Sequence, residues 1–307
     1  MTKSDVLVFG GSGQVGWELR HRISRLGQIG QVESPRVDFS DPDAIRKAVR
    51  EVRPAFIVNA AAYTAVDKAE AEPELAAAIN AIAPGILAEE ARRFGSILIH
   101  YSTDYVFDGT KPAPYFETDA PNPLNVYGRT KLAGDQAIQS VGGDYLILRT
   151  SWVYGPRGTN FLLTMLRLAA ERTELRIVDD QLGAPTSSAS IARATLEILA
   201  PMLSSPQHGL RGLSGIYNLT NTGATTWFRF AKAIFTAQSA VSAAPIPNLV
   251  PIKTSEFPRP ARRPANSRLS CQCLEETFDV RMQTWQDALS DVLQVLGKGS
   301  SEANGNV

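Results

Sequence analysis

The stretch "VLVFGGSGQVGWELRHRISRLG" restricts the fold more than any other. An apolar run, Val6 to Gly11, reads as a strand, and "GQVGWELRHRISRLG" reads as a helix ending at Gly27. Gly10, Gly13 and Gly16 stand three apart between them. Glycine there lets the chain turn tightly and lets a pyrophosphate approach the backbone. The free N–H groups and the positive end of the helix then face the anion. A tight turn without a ligand is the alternative, and the strand-before, helix-after context favours dinucleotide binding.

The same rhythm continues. "PAFIVNAAA", "SILIHYS" and "DYLILRTSWVYG" are strand patterns, and "DPDAIRKAVREVR", "ELAAAINAIAPGILAEEARRFG" and "LNVYGRTKLAGDQAIQSV" are helical ones. Strands apolar throughout and separated by helices imply a parallel sheet buried on both faces, a doubly wound α/β domain over residues 1–155. After Gly155 the pattern changes. Helices over "FLLTMLRLAAER", "SIARATLEILAPML" and "TTWFRFAKAIFTAQ" alternate with short strands, "ELRIV" and "IYNLTN" among them. Residues 245–270 are proline-dense and read as irregular, and "GKGSSEANGNV" (297–307) reads as a disordered tail.

Composition excludes several classes. Lys plus Arg equals Asp plus Glu at 31 each, which gives no footprint for nucleic acid or anionic membrane. No run approaches the ~20 apolar residues of a bilayer span, and the N-terminus lacks a signal-peptide pattern, so a cytoplasmic protein is expected. Cys271 and Cys273 are too close for an unstrained disulfide. With His21, His100 and His208 scattered, no metal site is expected.

A dinucleotide site also calls for an acid about twenty residues past the glycines, to bond the adenosine ribose. Glu33 ends a plausible second strand, although a solvated loop acid reads equally well. Arg36 nearby would instead suit a 2′-phosphate, so NADH and NADPH both stay open.

Tyr127 and Lys131 form Y-x-x-x-K within a helical pattern, so phenol and ammonium share one face. A free tyrosine titrates near ~10, and a neighbouring cation lowers that toward the working range. Lys131 would also hold the nicotinamide ribose. Alone the motif is common by chance, as a half-buried Tyr beside a solvated Lys. Here it follows a dinucleotide turn and a strand ending in "HYSTDYVFDG", which puts Thr103 at the carboxyl edge of a parallel sheet, where such sheets bind ligands.

With these residues the chain resembles the extended short-chain dehydrogenase/reductase family from Val6 to about Leu296. The likeness rests on "GGSGQVGWEL", "VDFSDP", "VNAAAYTAVDKAEAEP", "HYSTDYVFDG", "PLNVYGRTKLAG", "LRTSWVYG", "DDQLGAPTS" and "RPANSRLS". Within the family it is most similar to the branch that reduces the C4 keto group of dTDP-4-dehydro-L-rhamnose with NADPH or NADH.

The resemblance implies Thr103, Tyr127 and Lys131 as the catalytic triad. Gly13, Gln14, Val15, Glu33, Asp38 and Phe39 match cofactor-binding positions, beside Gly10 and Gly16. Ala61, Ala62 and Tyr63 match the loop along the cofactor. Asp104 and Trp152 match sugar-nucleotide contacts, and Asn160, Arg263 and Ser267 are candidates for the diphosphate. Asn59 and Asn80 match scaffold positions. The implied partner is a dTDP-sugar, and the family allows a homodimer. A smaller, mixed C-terminal substrate part is implied over 156–187 and 235–274, with 188–234 and 275–296 returning to the first domain. Some members use Mg²⁺ at a dimer contact, but "GAPTSSASI" has Ala189 where the acid is expected.

Two rivals remain on the same fold. Dehydratases carry Asp–Glu after the strand-end Thr, whereas Tyr105 follows Asp104 here; epimerases are not separated by spacing. A non-catalytic subunit like that of methionine adenosyltransferase would have no need of Thr103, Tyr127 and Lys131 together.

Overall fold

A computed structural model describes residues 4–23, 29–204, 210, 212–239 and 246–304. β1 (Ser4–Phe9) leads through the glycine turn into α1 (Gln14–Ile23), then β2 (Ile29–Glu33), α2 (Pro42–Val52) and β3 (Phe56–Asn59). The expected helix end at Gly27 lies outside the described residues. α2 starts where the sequence says it should. The Asp41 side chain accepts the N–H groups of Asp43 and Ala44, and Pro42 occupies the first turn, where no N–H is missed.

α3 (Val66–Ala69) and α4 (Pro73–Ala77) follow, then a π turn over Ala78–Ile82 and α5 (Ala83–Phe94). The single long helix expected here is therefore interrupted. Pro84 has no N–H to give the Asn80 carbonyl, and the wider turn accommodates that loss. Next come β4 (Ile97–Thr103), one 3-10 turn at Asp104–Val106, α6 (Val126–Val141) and β5 (Tyr145–Thr150).

β1 to β5 form one parallel sheet, and β10, defined below, adds its last strand. The strand order is β2-β1-β3-β4-β5-β10. This is the doubly wound, Rossmann-like α/β fold that the alternating pattern implied. Side chains alternate between its faces. Val6, Val8, Val58 and Ile99 face one core with Leu19 of α1; Leu7, Phe9, Ile57 and Leu98 face the other with Ile45 and Leu87. Each such aliphatic side chain contributes roughly 1.5–3 kcal/mol on burial. Strand order reverses between β1 and β3, which opens a crevice at their carboxyl ends.

The remainder runs β6 (Val153–Tyr154), α7 (Phe161–Glu171), β7 (Glu174–Val178), β8 (Leu182–Gly183), β9 (Thr186–Ser187), α8 (Ser188–Ser204), β10 (Gly215–Asn218), β11 (Thr225–Thr226), α9 (Trp227–Ser239), β12 (Asn248–Ile252), α10 (Gln272–Phe278) and α11 (Trp285–Asn304). α8, expected to return to the first domain, packs on α1, and β10 pairs with β5. α9 and α11, expected to return as well, instead join α7 in a third core around Phe230, Phe235, Trp285 and Leu289. Their apolar faces meet each other before they meet the sheet.

Two expectations change. β12 lies within the stretch read as irregular and pairs in parallel with β7, Pro251 opposite Ile177. A two-stranded ribbon leaves one side of each strand unpaired, so proline is tolerated. The helix α11 runs to Asn304, into the segment read as a disordered tail. Once nucleated, a helix gains one hydrogen bond per added residue, which outweighs the weak propensity of "GKGSS".

Candidate active site

The glycine turn closes on itself. Gly13 N–H donates to the Gly10 carbonyl at 2.9 Å. Gly10 has φ +74, and a Cβ there would sit 2.5 Å from the Ala60 carbonyl carbon; a Cβ on Gly16 would sit 2.3 Å from the Gly10 oxygen. Any side chain would thus push the turn off β3 and off α1. The geometry leaves the amino end of the ten-residue α1 bare at the crevice, which fits a dinucleotide pyrophosphate.

Across the crevice, α6 is brought close by Gly128, where a Cβ would stand 2.2 Å from the Tyr105 carbonyl oxygen. Asn125 caps the helix, accepting the Gly128 N–H at 2.8 Å and donating to the Arg262 carbonyl at 2.7 Å. Tyr127 and Lys131 therefore enter the same cavity as Thr103 and Asp104. That cavity, about 530 Å³, is also lined by Gly13, Gln14, Val15, Ala62 and Trp152.

The polar groups at its floor are interlocked. Thr103 Oγ1 accepts the Tyr105 N–H at 3.1 Å and donates to Asp104 Oδ1 at 3.0 Å. Asp104 is 2 % exposed, and its Oδ2 has no partner. Burial pushes its pKa up to about 7. Ser267 faces it and draws the carboxyl down, yet no hydrogen bond of good geometry joins them.

Burial also pushes the Tyr127 phenol up to about 12, with Thr103 lowering it and the Asp104 charge raising it. Lys131 is brought down to about 8 by burial, against the pull of Asp135. The expected lowering of Tyr127 by Lys131 is not found: desolvation raises the phenol, and Thr103 is the group that draws it down. Lys131 Nζ instead donates to the Tyr101 carbonyl at 2.6 Å and meets His100 Nε2 at 3.0 Å. Beneath them, Asp135 accepts from Ser102 at 2.9 Å and pairs with Arg149 at 3.3 Å, the acid and the base both buried.

Other candidates lie elsewhere. Glu33 ends β2, Asp38 accepts from Ser40 N and Oγ, and Phe39 packs edge-on against Phe9 in the core. Tyr63 points its hydroxyl to Glu72, while its backbone pairs with the Asn80 amide, so Asn80 ties this loop to Thr130 of α6. Ala61 donates its N–H to Asn59 Oδ1 at 3.2 Å.

Two diphosphate candidates are committed to other work. Asn160 caps α7, and its Nδ2 is spent on Gln14, Gly155 and Arg157, so it clamps the 155–160 loop to α1. Arg263 forms a two-pronged pair with Asp67 at 3.0 and 3.1 Å.

The sequence reading missed Trp227. Its ring stacks on Trp152 at 3.5 Å, within the cavity wall. In sequence it was one apolar position of an amphipathic helix, with no signal pointing to a ligand. Trp152 itself holds a strained φ of 47. A Cβ on Gly183 would lie 2.4 Å from its indole, so glycine alone leaves the ring its place. Thr159 and Gly158, also in the wall, belong to the loop after β6 and carried no motif.

A model of the family described as RmlD substrate binding domain matches residues 4–297. A dTDP-4-dehydrorhamnose reductase of Burkholderia thailandensis is 47% identical over 287 residues, covering 92% of this chain and 96% of the relative. The chain belongs to the dTDP-4-dehydrorhamnose reductase family. The reductase of Escherichia coli K12 is 44% identical, over 95% of this chain and 98% of its own. Among solved structures, the reductase of Bacillus anthracis in complex with NADP superposes with a TM-score of 0.85 at 34% identity, covering 95% of this chain and 99% of its own. Membership makes this an NAD(P)H-dependent oxidoreductase. No described helix is long and apolar enough to cross a membrane.

Proposed function

We propose that this chain reduces the C4 keto group of dTDP-4-dehydro-L-rhamnose to give dTDP-L-rhamnose, using NADPH or NADH. The observation that carries the reading is the convergence of Thr103, Tyr127 and Lys131 on one cavity whose far wall is the glycine turn. The identity to named reductases over nearly the whole chain supports the substrate assignment.

The dinucleotide, when bound, supplies the two-electron reducing equivalent. Gly10, Gly13 and Gly16 leave room for its pyrophosphate, with Gln14 and Val15 at the helix start. Glu33, Asp38, Ala61, Ala62 and Tyr63 are proposed along its adenosine and ribose side, Asp38 and Phe39 through the turn they form. Lys131 is proposed to hold the nicotinamide ribose.

Tyr127 keeps its phenolic proton at neutral pH, because burial holds its pKa well above that range. It is therefore the proton donor to the C4 oxygen as charge gathers there. Thr103 turns to the same oxygen the hydroxyl proton that it otherwise gives Asp104, and steadies its charge. Asp104, near half-protonated at neutral pH, bonds a sugar hydroxyl, with Ser267 beside it. The Trp152 ring, braced by Trp227, lies against the apolar face of the sugar. A cytoplasmic location follows from a nucleotide-sugar substrate and a soluble reductant.

The test is oxidation of NADPH or NADH by the purified protein given dTDP-4-dehydro-L-rhamnose, with the product identified as dTDP-L-rhamnose. Turnover on that sugar, and none on dTDP-glucose, is expected. No cofactor oxidation with the keto sugar would overturn the assignment.

A further inference from the structure

Asn59, His100 and Lys131 form a buried line from the loop after β3 to the cavity, and the hydrogen-bonding rules fix its polarity. Ala61 N–H meets Asn59 at 3.2 Å; a backbone N–H only donates, so the atom it meets is the amide oxygen. The Asn59 nitrogen therefore faces His100 Nδ1, 2.9 Å away. That nitrogen only donates, so Nδ1 is the acceptor and the ring carries its proton on Nε2. Nε2–H points at Lys131 Nζ, 3.0 Å distant, while Nζ donates to the Tyr101 carbonyl at 2.6 Å. An ammonium has no lone pair to accept Nε2–H, so this arrangement suits only the neutral amine.

We propose that Asn59 and His100 are positioning residues that tie the protonation of Lys131 to the Ala61 backbone amide through the tautomer of the His100 ring. The ring N–H at Nε2 breaks as its proton passes to Nζ, and Nδ1 takes one proton from water. The ring is again neutral, Lys131 is cationic and faces a ring lone pair, and the net uptake is one proton. Nδ1–H now needs an acceptor, so the Asn59 amide turns its oxygen to it and releases the Ala61 N–H.

The charge environment agrees. Burial drives His100 well below its ordinary value, so the ring stays neutral, and it brings Lys131 down to about 8. Facing Lys131, α6 brings Tyr127 and Asp135, β4 brings His100 and Tyr101, and the turn after β4 brings Asp104. β5 brings Arg149, which is tied to Asp135. The π turn on the far side of α6 brings Asn80 against Thr130, neither of which titrates. Asp135 favours the cation, and the Asn59–His100 line opposes it.

For the reaction, which rests on the proposed function, the line sets the pH above which Lys131 loses the positive charge that faces Tyr127 as it becomes phenolate. The tautomer itself does not depend on that reading. Long-range ¹H–¹⁵N NMR of the ¹⁵N-labelled full chain, recorded without substrate from pH 6 to 10, reports which ring nitrogen bears the proton. The ring proton is expected on Nε2 at high pH and on Nδ1 at low pH, with a midpoint near 8 shared with the Ala61 amide shift. Asn59→Asp offers Nδ1–H an acceptor at every pH, so the midpoint should rise by about one pH unit or more. The basic limb of kcat/KM should move with it while the KM for sugar stays level. A His100 proton on Nδ1 throughout the titration of the unaltered protein overturns the proposal, whether or not the variant folds. An unmoved midpoint in folded Asn59→Asp overturns it as well. Inactivity of the unaltered protein toward the keto sugar, with the tautomer switch intact, would sink the function and leave the line standing.

Discussion

Thr103 donates its hydroxyl to Asp104 Oδ1 at 3.0 Å, while the other carboxylate oxygen, Oδ2, is buried without a partner. The last residue of β4 thus orients its neighbour toward the cavity without satisfying it. Such a carboxyl favours its neutral form.

That geometry has a pH signature. With Asp104 pushed to about 7, the folded protein keeps a proton that the unfolded chain releases near ~4. The folded state binds more protons between those values, so stability falls as pH rises from about 4 to 7. Asp104→Asn should remove this slope. Urea denaturation at pH 4.5 and 7.5 should show the unaltered protein losing on the order of 2–4 kcal/mol relative to the variant. Parallel changes in both proteins would contradict the buried, unpaired carboxyl.

Lys131 acts in the opposite sense at higher pH. Its folded value near 8 lies below the ~10.4 of the free side chain, so between them the unfolded chain binds more protons. Stability from this group therefore rises as pH climbs through that window. Lys131→Met should flatten the rise between pH 8 and 10, measured by thermal melts at matched ionic strength.

Gly183 makes room for the Trp152 indole, so Gly183→Ala should displace a ring already held at a strained φ. A kcat/KM drop of on the order of 10–100-fold is expected, with near-UV circular dichroism altered by loss of the Trp152–Trp227 stack. An unchanged spectrum with normal kinetics would show that the ring does not need this glycine.

Asn125 joins the start of α6 to the Arg262 carbonyl, and α6 carries both Tyr127 and Lys131. Asn125→Ala removes a helix cap and leaves the Arg262 carbonyl without this donor. A loss of about 1–3 kcal/mol in urea denaturation is expected.

The sheet was legible because its strands are apolar throughout and separated by helical periods, a pattern with few solutions. The glycine turn was legible for a similar reason, since its three positions are set by backbone approach. Tyr127 and Lys131 were legible as a helix-face pair, but their electrostatics were not. Helical spacing says nothing about the His100 ring of β4, which engages Lys131, or about how deeply the phenol is buried. Asn160 and Arg263 looked like free polar groups in sequence because their partners, Gln14 and Asp67, lie far away along the chain. Trp227 stayed hidden because an indole in an amphipathic helix reads as core until a second indole is found stacked on it. β12 was concealed by Pro251, which is an obstacle in a wide sheet and none in a two-stranded ribbon.

Under the proposed function, Tyr127 delivers the proton to the C4 oxygen. Single-turnover reduction of dTDP-4-dehydro-L-rhamnose by Tyr127→Phe tests it most directly, with folding checked by circular dichroism. The expected result is a fall in the rate of roughly 10²–10⁴-fold with little change in NADPH binding. A folded Tyr127→Phe variant that reduces the keto sugar at near-normal rate would contradict the account.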